Sequence, residues 1–133
     1  MKVARASFIM ARHKLRNYLR TYRKRSGLTQ KEMGFLLGCK SSTKVSRYER
    51  FSRQPALRNV IAYELIFGIP ARELFAGVFQ CVEEETLHRV QLLSHKLQQA
   101  KLNQRTKRKL EFLRVITESS IKHDHSKTFL DAT

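Results

Sequence analysis

Apolar positions at Phe8, Ala11, Leu15, Leu19 and Tyr22 step by three or four, the spacing of one helix face, and the series stops at Ser26-Gly27. Gly27 suits that stop, because helices commonly end on a left-handed residue that glycine adopts without steric cost. Two residues on, Thr29-Gln30-Lys31-Glu32 has the form of a capping box. Thr29 can accept from the Glu32 N–H while the Glu32 carboxylate returns to the Thr29 N–H. The helix that follows is expected to turn Met33, Leu36 and Leu37 inward and to close at Gly38. A polar stretch, Lys40-Ser41-Ser42-Thr43, leads into a second short helix with Val45 and Tyr48 inside and Lys44, Arg47 and Arg50 pointing elsewhere. Leu57, Val60, Ile61, Leu65 and Ile66 make a strongly apolar helix closed by Gly68, and Pro70 precedes a short one holding Leu74 and Phe75.

Further along, Glu83-Glu84-Glu85-Thr86 is expected to open a helix, since acids favour the positive end of the helix dipole. Leu87, Val90, Leu93, Leu97 and Ala100 form one apolar stripe. Another helix is expected after Thr106, with Leu110, Leu113, Thr117 and Ile121 on one side and Phe112, Val115 and Ile116 on another. No segment alternates as a half-buried strand does. The pattern predicts an all-α chain: a cluster of short helices over residues 1–77, then a helical hairpin over 78–133 with a polar tail that frays. A hairpin apolar on several sides cannot cover itself. Residues 83–121, Val90, Leu93, Leu97, Leu110, Phe112, Leu113 and Ile116 above all, are therefore expected to pair with a second copy or a partner protein, or else to fold back on the N-terminal helices.

Charge narrows the function. The chain carries 27 Lys+Arg against 11 Asp+Glu, a net charge of +16, and the imbalance is concentrated in its first half. Residues 1–58 hold 16 basic residues and two acids, Glu32 and Glu49, a net of +14; residues 59–133 contribute only +2. A field of one sign attracts a polyanion over long range and releases counterions from a phosphate backbone. Nucleic acid is the expected partner from charge, with an anionic membrane surface or an acidic protein as the other possibilities. Solubility alone needs no such asymmetry.

Other chemistries find little support. No apolar run approaches the roughly 20 residues of a membrane span, and Ser7–Ala11 is too short for a secretory signal before Arg12 interrupts it. Cys39 and Cys81 form neither a metal-ligand pair nor a disulfide framework, which suits packing residues in a reducing cytoplasm. Adjacent carboxylates at Glu83–Glu85 diverge on a helix. His88 and His95 face away from the apolar stripe, and His123-Asp124-His125 lies in the tail expected to fray, so no metal is expected. Without a nucleotide loop or an acid–base constellation, neither an enzyme nor a cofactor is expected.

Two short helices joined by a tight turn, supported by others and rich in basic residues, form the layout of a helix-turn-helix DNA reader. Leu28-Thr29-Gln30-Lys31-Glu32-Met33-Gly34-Phe35-Leu36-Leu37-Gly38, then Val45-Ser46-Arg47-Tyr48-Glu49-Arg50, then Gly68-Ile69-Pro70-Ala71-Arg72-Glu73-Leu74-Phe75 resembles the phage-repressor and Cro-type (Xre-like) family from about Leu15 to Gly77. The resemblance implies a five-helix domain whose third helix, near residues 42–51, enters the major groove. It places Ser42, Thr43, Lys44 and Arg47 at base edges, and it makes Gln30 a phosphate contact that also buttresses the reading helix. Thr29, a cap first, stands beside it at the helix start, while Arg50 and Arg53 suit phosphates, which fix register rather than sequence.

Three departures stand out. The stretch between Gly38 and Val45 holds six residues where the family has five, so Ser41, Ser42 or Thr43 could each be the N-cap. Phe51 replaces the usual closing glycine, which predicts a different loop path, and Ala56 replaces the usual Ser or Thr cap of the fourth helix. Together these features suggest a cytoplasmic, nucleoid-associated transcriptional regulator, as a dimeric repressor. The alternatives are an antitoxin-type module whose C-terminal helices bind a protein partner, or a sequence-neutral DNA-packaging protein.

Overall fold

Asn17 sets where the first helix begins. In the computed structural model, which describes residues 16–130 and side chains as far as Ile121, its Oδ1 accepts from the Leu19 N–H at 3.1 Å. Tyr18 N–H meanwhile donates to the Leu74 carbonyl at 2.8 Å, and Gly77 N–H to the Arg16 carbonyl at 3.2 Å. Those two bonds hold residues 16–18 out of helix, so α1 runs only over Leu19–Ser26. The helix face expected to begin at Phe8 is thus interrupted before Leu19; Phe8, Ala11 and Leu15 lie outside the described residues. Gly27 ends α1 with φ 79°, the left-handed conformation expected of it.

Four short helices follow: α2 (Gln30–Leu36), α3 (Thr43–Glu49), α4 (Leu57–Phe67) and α5 (Ala71–Leu74). Their core is Leu19, Met33, Val45, Tyr48, Tyr63, Leu74 and Phe75. Tyr63 is its hub, with ring centroids of Phe67 at 5.8 Å, Phe75 at 6.3 Å and Tyr48 at 6.5 Å. Burial pushes the Tyr63 hydroxyl pKa upward, with the nearby Glu49 carboxylate adding to it.

The apolar residues that mark α4 in the sequence divide between its two sides. Val60, Tyr63, Ile66 and Phe67 face the core, whereas Leu57, Ile61 and Leu65 are exposed. Periodicity could not choose between two apolar stripes on one helix. The aromatic cluster decides, because rings bury more area per residue than the aliphatic side chains they exclude. Leu36, expected inside, is likewise exposed, and Met33 and Leu37 carry that contact.

The long α6 (Ala76–Gln98) begins seven residues before Glu83. Glu83–Glu85 therefore lie within the helix rather than at its positive end, and no acid occupies its first turn. The chain divides into two compact units between Val82 and Glu83. In the second unit, α7 (Gln104–Leu130) starts two residues ahead of Thr106. Asn103 explains the shift, since its Oδ1 accepts the Thr106 N–H at 2.8 Å as an N-cap. Val90 and Leu113 are buried in this hairpin, and Ser120 Oγ donates to Glu83 Oε1 at 3.0 Å. Where a frayed tail is expected, the α7 backbone stays helical through His123–His125 to Leu130. No proline or glycine follows Gly77 to stop it. All elements among the described residues are helices.

Candidate nucleic-acid interface

The site is assembled around α3. Val45, Tyr48 and Glu49 are its buried positions. Thr43, Lys44, Arg47 and Arg50 are exposed, and Thr43, Arg47 and Arg50 fall on the side opposite the buried three. One face of a two-turn helix is anchored while the other presents a hydroxyl and two guanidinium groups to solvent.

Ser42 occupies the N-cap position of α3 but gives no side-chain cap bond. Ser41 Oγ is nearer that role, 3.4 Å from the Thr43 N–H and 3.2 Å from Thr43 Oγ1. The additional residue in the turn is accommodated where Gly34 lies against it: a Cβ on Gly34 would stand 3.0 Å from the Ser41 carbonyl oxygen. At the other end, Phe51 takes φ 62°, so it adopts the left-handed conformation of the glycine it replaces instead of redirecting the chain there. Ser52 N–H and Oγ then reach the Arg47 carbonyl at 3.0 and 3.2 Å. Ala56 leaves α4 without a side-chain cap, as its identity implies.

A buried ion pair fixes the angle of α3. Arg23 Nε and Nη2 donate to the two Glu49 carboxylate oxygens at 2.7 and 2.9 Å, and Arg23 Nη1 donates to the Leu28 carbonyl at 2.9 Å. The two side chains are only 11% and 2% exposed. Donating to the Glu49 carboxylate raises the Arg23 pKa above its ordinary value, against the opposing effect of burial. Asn17 Nδ2 adds a bond to the Tyr48 carbonyl at 2.9 Å, and Asn59 Nδ2 one to Tyr48 Oη at 3.0 Å.

The start of α2 completes the surface. Thr29 and Glu32 form both halves of the capping box, at 3.1 and 2.9 Å. Gln30 is half-buried, and its Nε2 lies 3.3 Å from Glu49 Oε1, so one amide proton braces α3 and the other remains for a ligand. Arg53 is exposed in the loop after α3. The structure thus brings Thr29, Gln30, Ser42, Thr43, Lys44, Arg47, Arg50 and Arg53 to α2, α3 and the loops flanking α3.

Four supporting residues escape a reading by periodicity: Asn17, Arg23, Gly34 and Glu49. Glu49 did leave a trace in the composition. It is one of two acids among the first 58 residues, and the other, Glu32, is accounted for by its capping box.

Residues 19–74 match the Helix-turn-helix family model of the Xre/Cro type. This segment is an Xre-type helix-turn-helix domain. Its span runs from the first residue of α1 to the last of α5, so the matched region coincides with the five short helices. The match supports DNA binding by residues 19–74. Comparison with curated proteins and with solved structures gives no match. No described helix is long and apolar enough to cross a membrane.

The Xre-type domain leaves the second unit to be read from its own residues. Of the side chains expected to meet a partner, Val90 and Leu113 are consumed inside the hairpin, and Leu97, Leu110 and Ile116 are half-buried. Leu93 and Phe112 remain at the surface, 47% and 68% exposed, with Val115 three residues beyond Phe112. His88 and His95 are exposed, and His95 Nε2 lies 3.1 Å from Gln99 Nε2.

Proposed function

We propose that the protein is a homodimeric repressor that reads a partly symmetric operator by inserting α3 into the major groove. The observation that carries this reading is the exposed row Thr43, Arg47 and Arg50 on a helix whose opposite side is locked by Val45, Tyr48 and the Arg23–Glu49 pair. Arg47 and Lys44 suit guanine O6 and N7, whereas Ser42 and Thr43 can donate or accept and so specify less sharply. Thr29, Gln30, Arg50 and Arg53 hold phosphates, helped by the backbone N–H groups that open α2.

Two-fold pairing would place two reading helices about 34 Å apart along the duplex. The exposed apolar residues Leu93, Phe112 and Val115 of the second unit support pairing there. Enzymatic activity has no part in this reading, and the compartment is the cytoplasm, at the nucleoid.

Selection from randomised duplex DNA near 0.15 M salt, a roughly physiological ionic strength, tests the proposal. A recurrent motif with two inverted half-sites is the expected result. Enrichment without a motif, with binding that vanishes as salt rises, would overturn sequence reading in favour of DNA packaging. Co-purification with a stoichiometric second protein would instead favour the antitoxin-type reading of Phe112 and its neighbours.

A further inference from the structure

The N-terminal unit contains a groove of about 390 Å3 beside the loop that follows α3. Val60, Phe75, Val78, Phe79 and Val82 supply its apolar walls. Its size lies at the lower end of the roughly 300–1,000 Å3 typical of small-molecule sites. Two arginines, Arg53 and Arg72, also line it, and no acidic side chain does. The Arg72 guanidinium stands 4.2 Å from the centroid of the Phe79 ring, so its charge lies against the apolar wall. Among the described residues, neither arginine has a carboxylate partner within 4.0 Å.

We propose that this groove binds a small amphipathic carboxylate, an apolar chain or ring with one anionic head, and that its occupancy weakens DNA binding. Charge complementarity selects the ligand class. The walls favour an apolar body, and a fork of guanidinium donors matches a carboxylate better than any neutral head. A cation finds no counter-charge, and a phosphate without an apolar body leaves the walls unused. Regulation follows from where Arg53 sits. It leads from the end of α3 toward α4, with Gln54 and Pro55 beside it on the groove. A guanidinium engaged by a ligand carboxylate is withdrawn from a DNA phosphate, so ligand and DNA oppose one another reciprocally. This regulatory half rests on the reading of Arg53 as a phosphate contact; ligand binding itself does not.

Decanoate is the probe, used with the full chain. Methyl NMR of Val78 and Val82 is followed as decanoate rises to about 1 mM, a range that detects weak affinities. Operator affinity is measured in parallel with and without it. Saturable methyl shifts and about a tenfold loss of operator affinity are expected, within the usual span of coupling between two sites. Decan-1-ol, which lacks the anion, should produce neither effect at matched concentration. Arg72→Gln should keep operator affinity without decanoate and lose the response to it. If that variant loses amide dispersion, Val82→Trp, which fills the groove from an exposed position, takes its place.

The methyl titration needs no DNA. A failure of operator reading would therefore leave saturable methyl shifts intact, whereas a failure of the groove proposal would abolish them. Absence of saturable shifts would overturn it, as would equal responses to decanol or in Arg72→Gln. Nuclear Overhauser contacts from the Val78 or Val82 methyls to Phe8 or Ile9 would also overturn it, because the chain's own N-terminal segment would then be the occupant.

Discussion

Arg23 and Glu49, 26 positions apart in sequence, meet through paired hydrogen bonds of 2.7 and 2.9 Å and tie α1 to the reading helix. Breaking one side of so buried a pair strands the other charge, at a cost of about 3–5 kcal/mol. Glu49→Ala should show that loss in urea denaturation. The double variant Arg23→Met, Glu49→Leu should recover much of it, since two apolar groups leave no charge unsatisfied. If the double variant keeps stability but loses operator discrimination, the pair acts through orientation of α3 more than through folding energy.

How much of this was legible in the sequence depends on the kind of signal each residue carries. Thr29 and Glu32 could be read because a capping box is local, and both of its bonds form as expected. Gly27 was legible for the same reason. The buried side of α4 was not legible, because the helix carries apolar residues on more than one side and only the position of Tyr63 among three other rings selects it. The early start of α6 was hidden because three glutamates suggested a helix opening, while the backbone was already committed from Ala76. In the interface, exposed cations were legible as types, but the groups that aim them are not. Asn17 and Gly34 act through single contacts with no periodic trace.

Gly34 sets the spacing between α2 and the turn into α3. A Cβ there would approach the Ser41 carbonyl to 3.0 Å, a shift of a few tenths of an ångström for the turn. Gly34→Ala should be nearly neutral, because roughly 0.5–1 kcal/mol of helix preference offsets the crowding. Gly34→Val carries two further methyl groups into the same backbone and should cost about 1–3 kcal/mol. Thermal melts of the two variants, paired with operator titrations, separate the stability effect from displacement of α3.

Glu32 gives the fold a pH dependence. Its hydrogen bonds from Thr29, first from the backbone and then from the side chain, hold its carboxyl below the ordinary value of 4.5. A depressed folded-state pKa means stability that is present above the unfolded value and lost as pH falls through the folded one. Carboxyl-detected NMR titration should find Glu32 below 4.5 in the wild type and closer to it in Thr29→Ala. An unchanged titration in that variant would remove the Thr29 hydroxyl as a cause and leave the backbone N–H, which the substitution keeps.

Arg47 and Arg53 should separate in kind. Arg47 lies on the outward side of α3, so Arg47→Ala should cost about 1–3 kcal/mol at one base position and relax specificity there. Arg53, in the loop beyond, should weaken all duplexes alike when changed to Ala, and should reduce the salt slope by about one. Affinities across single-base operator variants at several salt concentrations decide between the two behaviours. A uniform loss for Arg47→Ala would demote it to a phosphate contact.

Phe112 offers the sharpest test of pairing. It is 68% exposed, whereas Val90 and Leu113 fill the inside of the same hairpin. Phe112→Glu should therefore leave the helical content unchanged while placing a charge where a partner's apolar surface would be desolvated. Loss of an aromatic anchor commonly costs 2 kcal/mol or more, about a thirtyfold weaker dimer. Light scattering at micromolar protein should then move toward the monomer mass, and binding to a two-half-site operator should fall more than binding to a single half-site. Val90→Glu is the contrasting control, because it should unfold the hairpin itself. A wild-type chain that is already monomeric at that concentration would end the dimer reading, leaving Phe112 and Val115 to a different protein.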